Sequence, residues 1–283
     1  MVNKITEEKA SIIYIIEQHL REELLNQTPE KLWEESFIKQ QIERRKNGEL
    51  FTTTNHIRAM VYSMLSSGMS WNKVTKDINP DTKCITSVDK IFCSYDLEQL
   101  LKLTPTQLRN SIKEIHCATQ STLKQMEALL TVNVPKFLSI EKTYGTIDTF
   151  YQKFIEIDNT LKTLIILLSA TESTSKLEQM NVALVCEYLR NIGHDIPKPD
   201  RHICRILSSE YLAFSDKKET TPFEAFDIIT ELSKMTGKSA AEVDYILWSY
   251  CADGYGEICT KKTPKCNECV TKKDCHKRND LKF

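Results

Sequence analysis

The chain has 283 residues, a net charge of −1 and 41% hydrophobic residues. That much apolar material excludes a disordered chain, and the balanced charge excludes a protein whose global field announces a polyanionic partner. Only 7 glycines and 8 prolines are present, so breakers are few and helices are favoured over many short strands.

In chain order, residues 7–26 and 29–47 read as two amphipathic helices, Thr28 capping the second with Pro29 at its first position and Asn47-Gly48 ending it. Residues 54–67 form an apolar helix that Gly68 breaks. Short pieces follow at 71–78 and 88–92. Longer helices are expected at 97–103, 106–115, 119–130, 134–142, 147–156 and 160–170. Residues 177–192 read as one helix closed by Gly193. Pro197 and Pro199 then stiffen a connector into a helix opening near Asp200, with further helices at 224–236 and 240–251. Almost nothing alternates with period two, so the fold class is all-α.

The N-terminal stretch MVNKITEEKASIIYIIEQHL has acids beside its apolar residues, so no leader is expected. No apolar run approaches the length of a membrane span, and no membrane partner is expected. Six cysteines (Cys84, Cys93, Cys117, Cys186, Cys204 and Cys251) are scattered, mostly in apolar contexts. They read as buried thiols in a reducing cytoplasm, not as a disulfide framework.

The other four cysteines are different. Cys259, Cys266, Cys269 and Cys275 are spaced C-x6-C-x2-C-x5-C in a stretch rich in Lys, Thr, Asn, Asp and Pro. With little apolar material to form a core, metal is what would order such a loop. A structural zinc site and an iron–sulfur cluster are both open on donor type. Zinc sites commonly pair two C-x2-C knuckles across a longer gap, and only one such knuckle is present. Residues 259–283 also carry eight Lys/Arg (Lys261, Lys262, Lys265, Lys272, Lys273, Lys277, Arg278 and Lys282) against Glu268, Asp274 and Asp280.

A second motif lies upstream, GHDIPKPDRHICRIL at 193–207. Asp200 follows the proline connector and opens a helix, with His202 and Arg205 behind it. Taken alone, Asp200 reads as an N-cap. A carboxylate there meets the positive end of the helix and free amide donors, which favours its ionised form.

The cysteine spacing resembles the cluster loop of the endonuclease III-like members of the helix-hairpin-helix DNA glycosylase superfamily. The Asp-x-His-x-x-Arg run resembles the same enzymes. The resemblance covers residues 51–275. It implies a [4Fe–4S] cluster on the four cysteines and Asp200 as the catalytic carboxylate. It also implies two helical lobes with a cleft between them: residues 51–195 as a helical barrel, and 1–50 with 196–283 as the cluster lobe. The partner would be double-stranded DNA carrying a damaged, mismatched or modified base, bound by a monomeric, cytoplasmic enzyme. Lys261, Lys262, Lys265, Lys272 and Lys273 would contact phosphates.

The chain departs from the family pattern in three places. Where the family has a glycine-rich hairpin of the form L-P-G-V-G, this chain has Leu177-Glu178-Gln179-Met180-Asn181. Asn181 is the residue there best suited to a left-handed backbone and a DNA contact. The lysine of bifunctional members falls on Val182 or Ala183, so no amine is available, and Lys176 and Lys198 are expected to be solvated. A monofunctional glycosylase without lyase chemistry follows. Near residue 65 the family's glutamine is absent from Leu65-Ser66-Ser67-Gly68-Met69-Ser70-Trp71. Ser66 and Ser67 would line the base pocket and Met69 would act as an apolar wedge. The alternative is a non-catalytic DNA-binding relative, which the missing glycines favour.

Overall fold

The computed structural model describes residues 5–25 and 27–277; Asn26, Arg278, Asp280 and Lys282 lie outside the described residues. The chain is all-α. Among the described residues the only β-type pairing is an isolated bridge between Ile78 and Ile85, and no helix is long and apolar enough to cross a membrane. The chain divides into two compact units, Met1–Lys39 with Asp195–Phe283, and Gln40–His194.

In the first unit, helix Ile12–Leu25 buries Ile12, Ile13, Ile16, Leu20 and Leu24, a stripe at helical spacing. They pack with Ile228, Ile229 and Leu232 of helix Pro222–Thr236 and with Val243, Leu247 and Tyr250 of helix Ala240–Cys251. Truncating a fully buried leucine such as Leu247 to alanine costs about 2–5 kcal/mol. Helix Ala240–Cys251 matches its expected bounds because Ser239 caps it, accepting from the Glu242 N–H at 3.1 Å. Residues 29–47 are not one helix. Leu32 and Ser36 are extended, leaving two 3-10 turns, Pro29–Lys31 and Trp33–Glu35, before helix Phe37–Lys46. Trp33 packs on Tyr245 at 5.5 Å, and Thr28 makes no side-chain cap bond.

In the second unit, helix Thr53–Leu65 starts at a capping box between Thr52 and Asn55 and ends at Ser66, with Gly68 at φ +71. It packs against helix Val182–Asn191; Ile57, Met60, Val61 and Met64 of the one and Val185, Tyr188 and Leu189 of the other are buried. Ser63 Oγ donates to the Leu184 carbonyl at 2.6 Å, and Asn191 Nδ2 to the Ala59 carbonyl at 3.3 Å. The two helices are therefore antiparallel. Residues 119–142, expected as two helices, run together as Thr122–Ala128, a π-turn at Leu129–Asn133 and Val134–Tyr144. The wide turn accommodates Pro135, whose missing N–H and ring would break a regular ladder.

Candidate active site and cysteine loop

Residues 195–200 are laced to helix Ala240–Cys251 at two points. Asp195 accepts from the Ala241 N–H at 2.9 Å, and the fully buried Asp244 accepts from the Lys198 N–H at 3.0 Å. The Lys198 carbonyl then accepts from the Asp200 N–H at 2.7 Å. This turn delivers Asp200 as the N-cap of helix Arg201–Ile206, where its Oδ1 accepts from the N–H groups of His202 at 2.7 Å and Ile203 at 3.2 Å. Asp200 is half-buried, and among the described residues its Oδ2 carries no hydrogen bond. Lys198 is buried at 7% exposure, which corrects the expectation of a solvated amine. The cause is the pinned connector, which local polarity cannot reveal.

Behind Asp200, burial holds the His202 imidazole below its ordinary pKa although the Asp200 charge pulls the other way. It is therefore a neutral ring near pH 7. Arg205 reaches past the end of its helix, and its Nη2 donates to the Cys259 carbonyl at 2.6 Å. The Cys251 thiol hydrogen-bonds to Cys259. That bond, with the Arg205 guanidinium, draws the Cys259 thiol down against its burial.

The cysteine loop is a chain of turns closed by Lys265 N–H to Ile258 carbonyl at 2.8 Å, Glu268 N–H to Lys265 carbonyl at 3.1 Å and Asp274 N–H to Thr271 carbonyl at 3.0 Å. All four cysteines are half-buried. Cys259 and Cys269 lean on the core of the first unit, and Tyr250 Oη donates to Cys269 Sγ at 3.3 Å. Four half-buried sulfurs are the right donor set for a thiophilic centre. Among the described residues, however, no three His, Cys, Asp or Glu side chains converge as a metal-binding group. Lys261, Lys262, Lys265, Lys272 and Lys273 are all exposed.

The remaining sequence-selected residues belong to the second unit. Asn181 is extended, not left-handed; it caps helix Val182–Asn191, accepting from the Leu184 N–H at 3.0 Å. The left-handed position is Gln179, at φ +62. Because Asn181 caps the helix, residues 177–180 form a turn outside it, and the expected helix at 177–192 is shortened. The buried Asn133 of the π-turn clamps this turn, donating to the Glu178 carbonyl at 3.0 Å and accepting from its N–H at 2.8 Å. Ser66 bonds back to the Ser63 carbonyl at 2.7 Å, and Ser67 and Met69 are half-buried. Since the two helices are antiparallel, Ser66–Met69 and Asn181 lie at the same end of the pair. Lys176 is partly buried, 3.7 Å from Glu178 Oε2.

One feature of this unit gave no sequence signal. The fully buried His56 meets Tyr188 Oη at 2.6 Å through Nδ1, and Tyr188 meets Tyr151 at 2.9 Å. Across the ring, Asp148 Oδ1 lies 3.5 Å from His56 Nε2 and 3.0 Å from Arg45 Nη2. Burial pushes the Asp148 carboxyl up, yet His56 and Arg45 outweigh it and bring the pKa to about 2. Arg45 also donates to the Ile192 carbonyl at 2.7 Å, tying down the turn before Gly193. No family model, curated protein or solved structure matched the chain.

Proposed function

We propose that the protein is a DNA glycosylase of the helix-hairpin-helix kind that hydrolyses the N-glycosidic bond of a damaged, mismatched or modified base. The observation that supports it most is the physical join between its two motifs. Asp200 opens a helix whose Arg205 holds the backbone of Cys259, the first cysteine of the loop. Two motifs separated by 59 residues (259 − 200) thus share one scaffold.

In this reading the target nucleotide is flipped from the duplex. The C1′–N bond breaks and its electron pair leaves with the base. Positive charge develops on the deoxyribose C1′, and the Asp200 carboxylate stabilises it through Oδ2 while Oδ1 stays on its two amides. A water directed by the same carboxylate adds to C1′, and its proton passes to the carboxylate and on to the departed base. Cys259, Cys266, Cys269 and Cys275 would hold a [4Fe–4S] cluster, which when bound would order the loop that presents Lys261, Lys262, Lys265, Lys272 and Lys273 to DNA phosphates. Ser66, Ser67 and Met69 with Asn181 would form the lip against the DNA. The absence of a lysine at Val182 or Ala183 makes the enzyme monofunctional.

The test is a screen of base release from duplex oligonucleotides carrying different lesions, beside iron and acid-labile sulfide analysis of the purified protein. Release from at least one lesion, lost in Asp200→Asn, is expected. Tight duplex binding with no release from any lesion would favour the second reading, a non-catalytic DNA-binding relative. The occupied Asn181 side chain and the glycine-free turn at Gln179 speak for that second reading.

A further inference from the structure

Residues between 79 and 99 of the second unit line an open recess of about 650 Å3 that the glycosylase reading leaves unused. Cys93 and Ser94 in its lining belong to an unusual stretch of backbone. Phe92 ends helix Thr86–Ile91 at φ −92, ψ +23, and the next three residues, Cys93, Ser94 and Tyr95, are left-handed at φ +52, +51 and +63. None is glycine, and each such residue costs on the order of 1–3 kcal/mol. Packing imposes the conformation: Tyr95 is fully buried, stacked on Phe92 at 5.8 Å and covered by the Arg58 guanidinium at 5.0 Å.

A step from right-handed to left-handed backbone turns successive N–H groups to one side, making a concavity suited to an anion. Among the described residues no backbone carbonyl accepts from the N–H of Cys93 or Ser94. The side chains around them add donors: Lys90 Nζ, the hydroxyls of Thr86 and Ser94, and the amide NH2 groups of Asn79 and Gln99. The Asn79 amide is held in place through its Oδ1, which accepts from the Asp81 and Thr82 N–H groups at 3.0 and 2.9 Å. The one carboxylate in the wall is already satisfied, since Asp89 takes Arg58 Nε at 3.1 Å and Tyr62 Oη at 2.7 Å. Cys84 and Cys93 line the same wall half-exposed, contrary to the expectation of buried thiols.

We propose that this recess is a phosphate site, with the Cys93 and Ser94 amides cradling the oxygens and Lys90 supplying the charge. The group would come from a small phosphate ester or from a DNA backbone. The proposal does not depend on Asp200 chemistry.

The experiment follows the backbone amides of the full chain by NMR during titration with inorganic phosphate, and separately with an undamaged duplex. Saturable shifts centred on Cys93 and Ser94 are expected, weakened about tenfold in Lys90→Gln, which corresponds to about 1.4 kcal/mol for one charged hydrogen bond. Lys90 is exposed, so this variant keeps the fold. Ser94→Gly removes the hydroxyl, tolerates the left-handed backbone and should weaken binding less. Shifts with phosphate alone assign the site to small esters, and shifts with duplex assign it to DNA. Absence of saturable shifts at Cys93 and Ser94 with both probes, or shifts indifferent to Lys90→Gln, would overturn the proposal.

Discussion

Arg205 donates to the Cys259 carbonyl at 2.6 Å, and this bond joins the Asp200 helix to the cysteine loop. The guanidinium also lies 5.8 Å from the centre of the Tyr211 ring. A planar fork held between a carbonyl and a ring face is poorly replaced by a point charge. Arg205→Lys and Arg205→Met should therefore both loosen the loop, each costing about 1.5–3 kcal/mol, the range of a charged hydrogen bond. Chemical unfolding and limited proteolysis within residues 259–277 measure it. A wild-type unfolding curve with an uncleaved loop would show the bond to be incidental.

Asp200→Asn separates capping from chemistry. Asparagine caps as well as aspartate, so the Oδ1 bonds to the His202 and Ile203 amides survive in kind and the fold should be unchanged. The negative charge is lost. On the proposed glycosylase chemistry, base release should fall at least about 100-fold, the scale of removing one preorganised electrostatic group, with duplex affinity unchanged. Parallel loss of binding and release would assign Asp200 a structural role instead.

Borohydride trapping on substrate duplex should yield no covalent adduct. Under the glycosylase proposal, Val182 and Ala183 carry no amine where bifunctional members of that superfamily have one, and the amine nearest Asp200 in sequence, Lys198, belongs to a buried residue whose backbone is pinned by Asp244. An adduct that peptide mapping located at Lys198 would replace the proposed monofunctional chemistry with a bifunctional one through a different residue.

Local signals made much of this molecule legible. Apolar period, Pro-Gly punctuation and cap residues fixed helix Ala240–Cys251, the close at Gly193 and Asp200 as an N-cap. Non-local contacts were hidden. Nothing around Lys198 announces burial, because the cause is Asp244, 46 residues away. Nothing around Gln179 announces a left-handed backbone, because the clamp is Asn133. The break at Leu32 was invisible because Trp33 packs on a ring more than 200 residues downstream. The His56–Asp148 network was missed for the same reason.

That network gives the second unit an acid-sensitive side. Burial, with Arg45 nearby, holds His194 down at about pKa 3, and burial also lowers His56. A histidine kept neutral in the fold but free to protonate at about 6.5 when unfolded makes the unfolded chain bind more protons. Stability should therefore fall as pH drops from about 6.5 towards 3. Asp148, depressed to about 2, adds a further loss as pH falls from about 4 through 2. Guanidinium unfolding across this range should show the slope, and His194→Gln should flatten its upper part. A slope unchanged by that substitution would place the proton uptake elsewhere.

The turn at Leu177–Asn181 offers a prediction that ties stability to DNA contact. Gln179 holds φ +62 at the position of the first glycine in the hairpin pattern. A left-handed non-glycine costs about 1–2 kcal/mol, while glycine costs about 0.5–1 kcal/mol in chain entropy. Gln179→Gly should thus stabilise by about 0.5–1 kcal/mol, the difference between the two terms. Gln179→Val should destabilise, because a β-branched side chain tolerates this backbone least. Removing the side chain also lets a phosphate approach the backbone, so Gln179→Gly should raise duplex affinity if this turn meets DNA. Thermal melts and duplex binding on the same three proteins separate the effects. Higher stability with unchanged affinity would keep the backbone argument and remove the turn from the DNA interface.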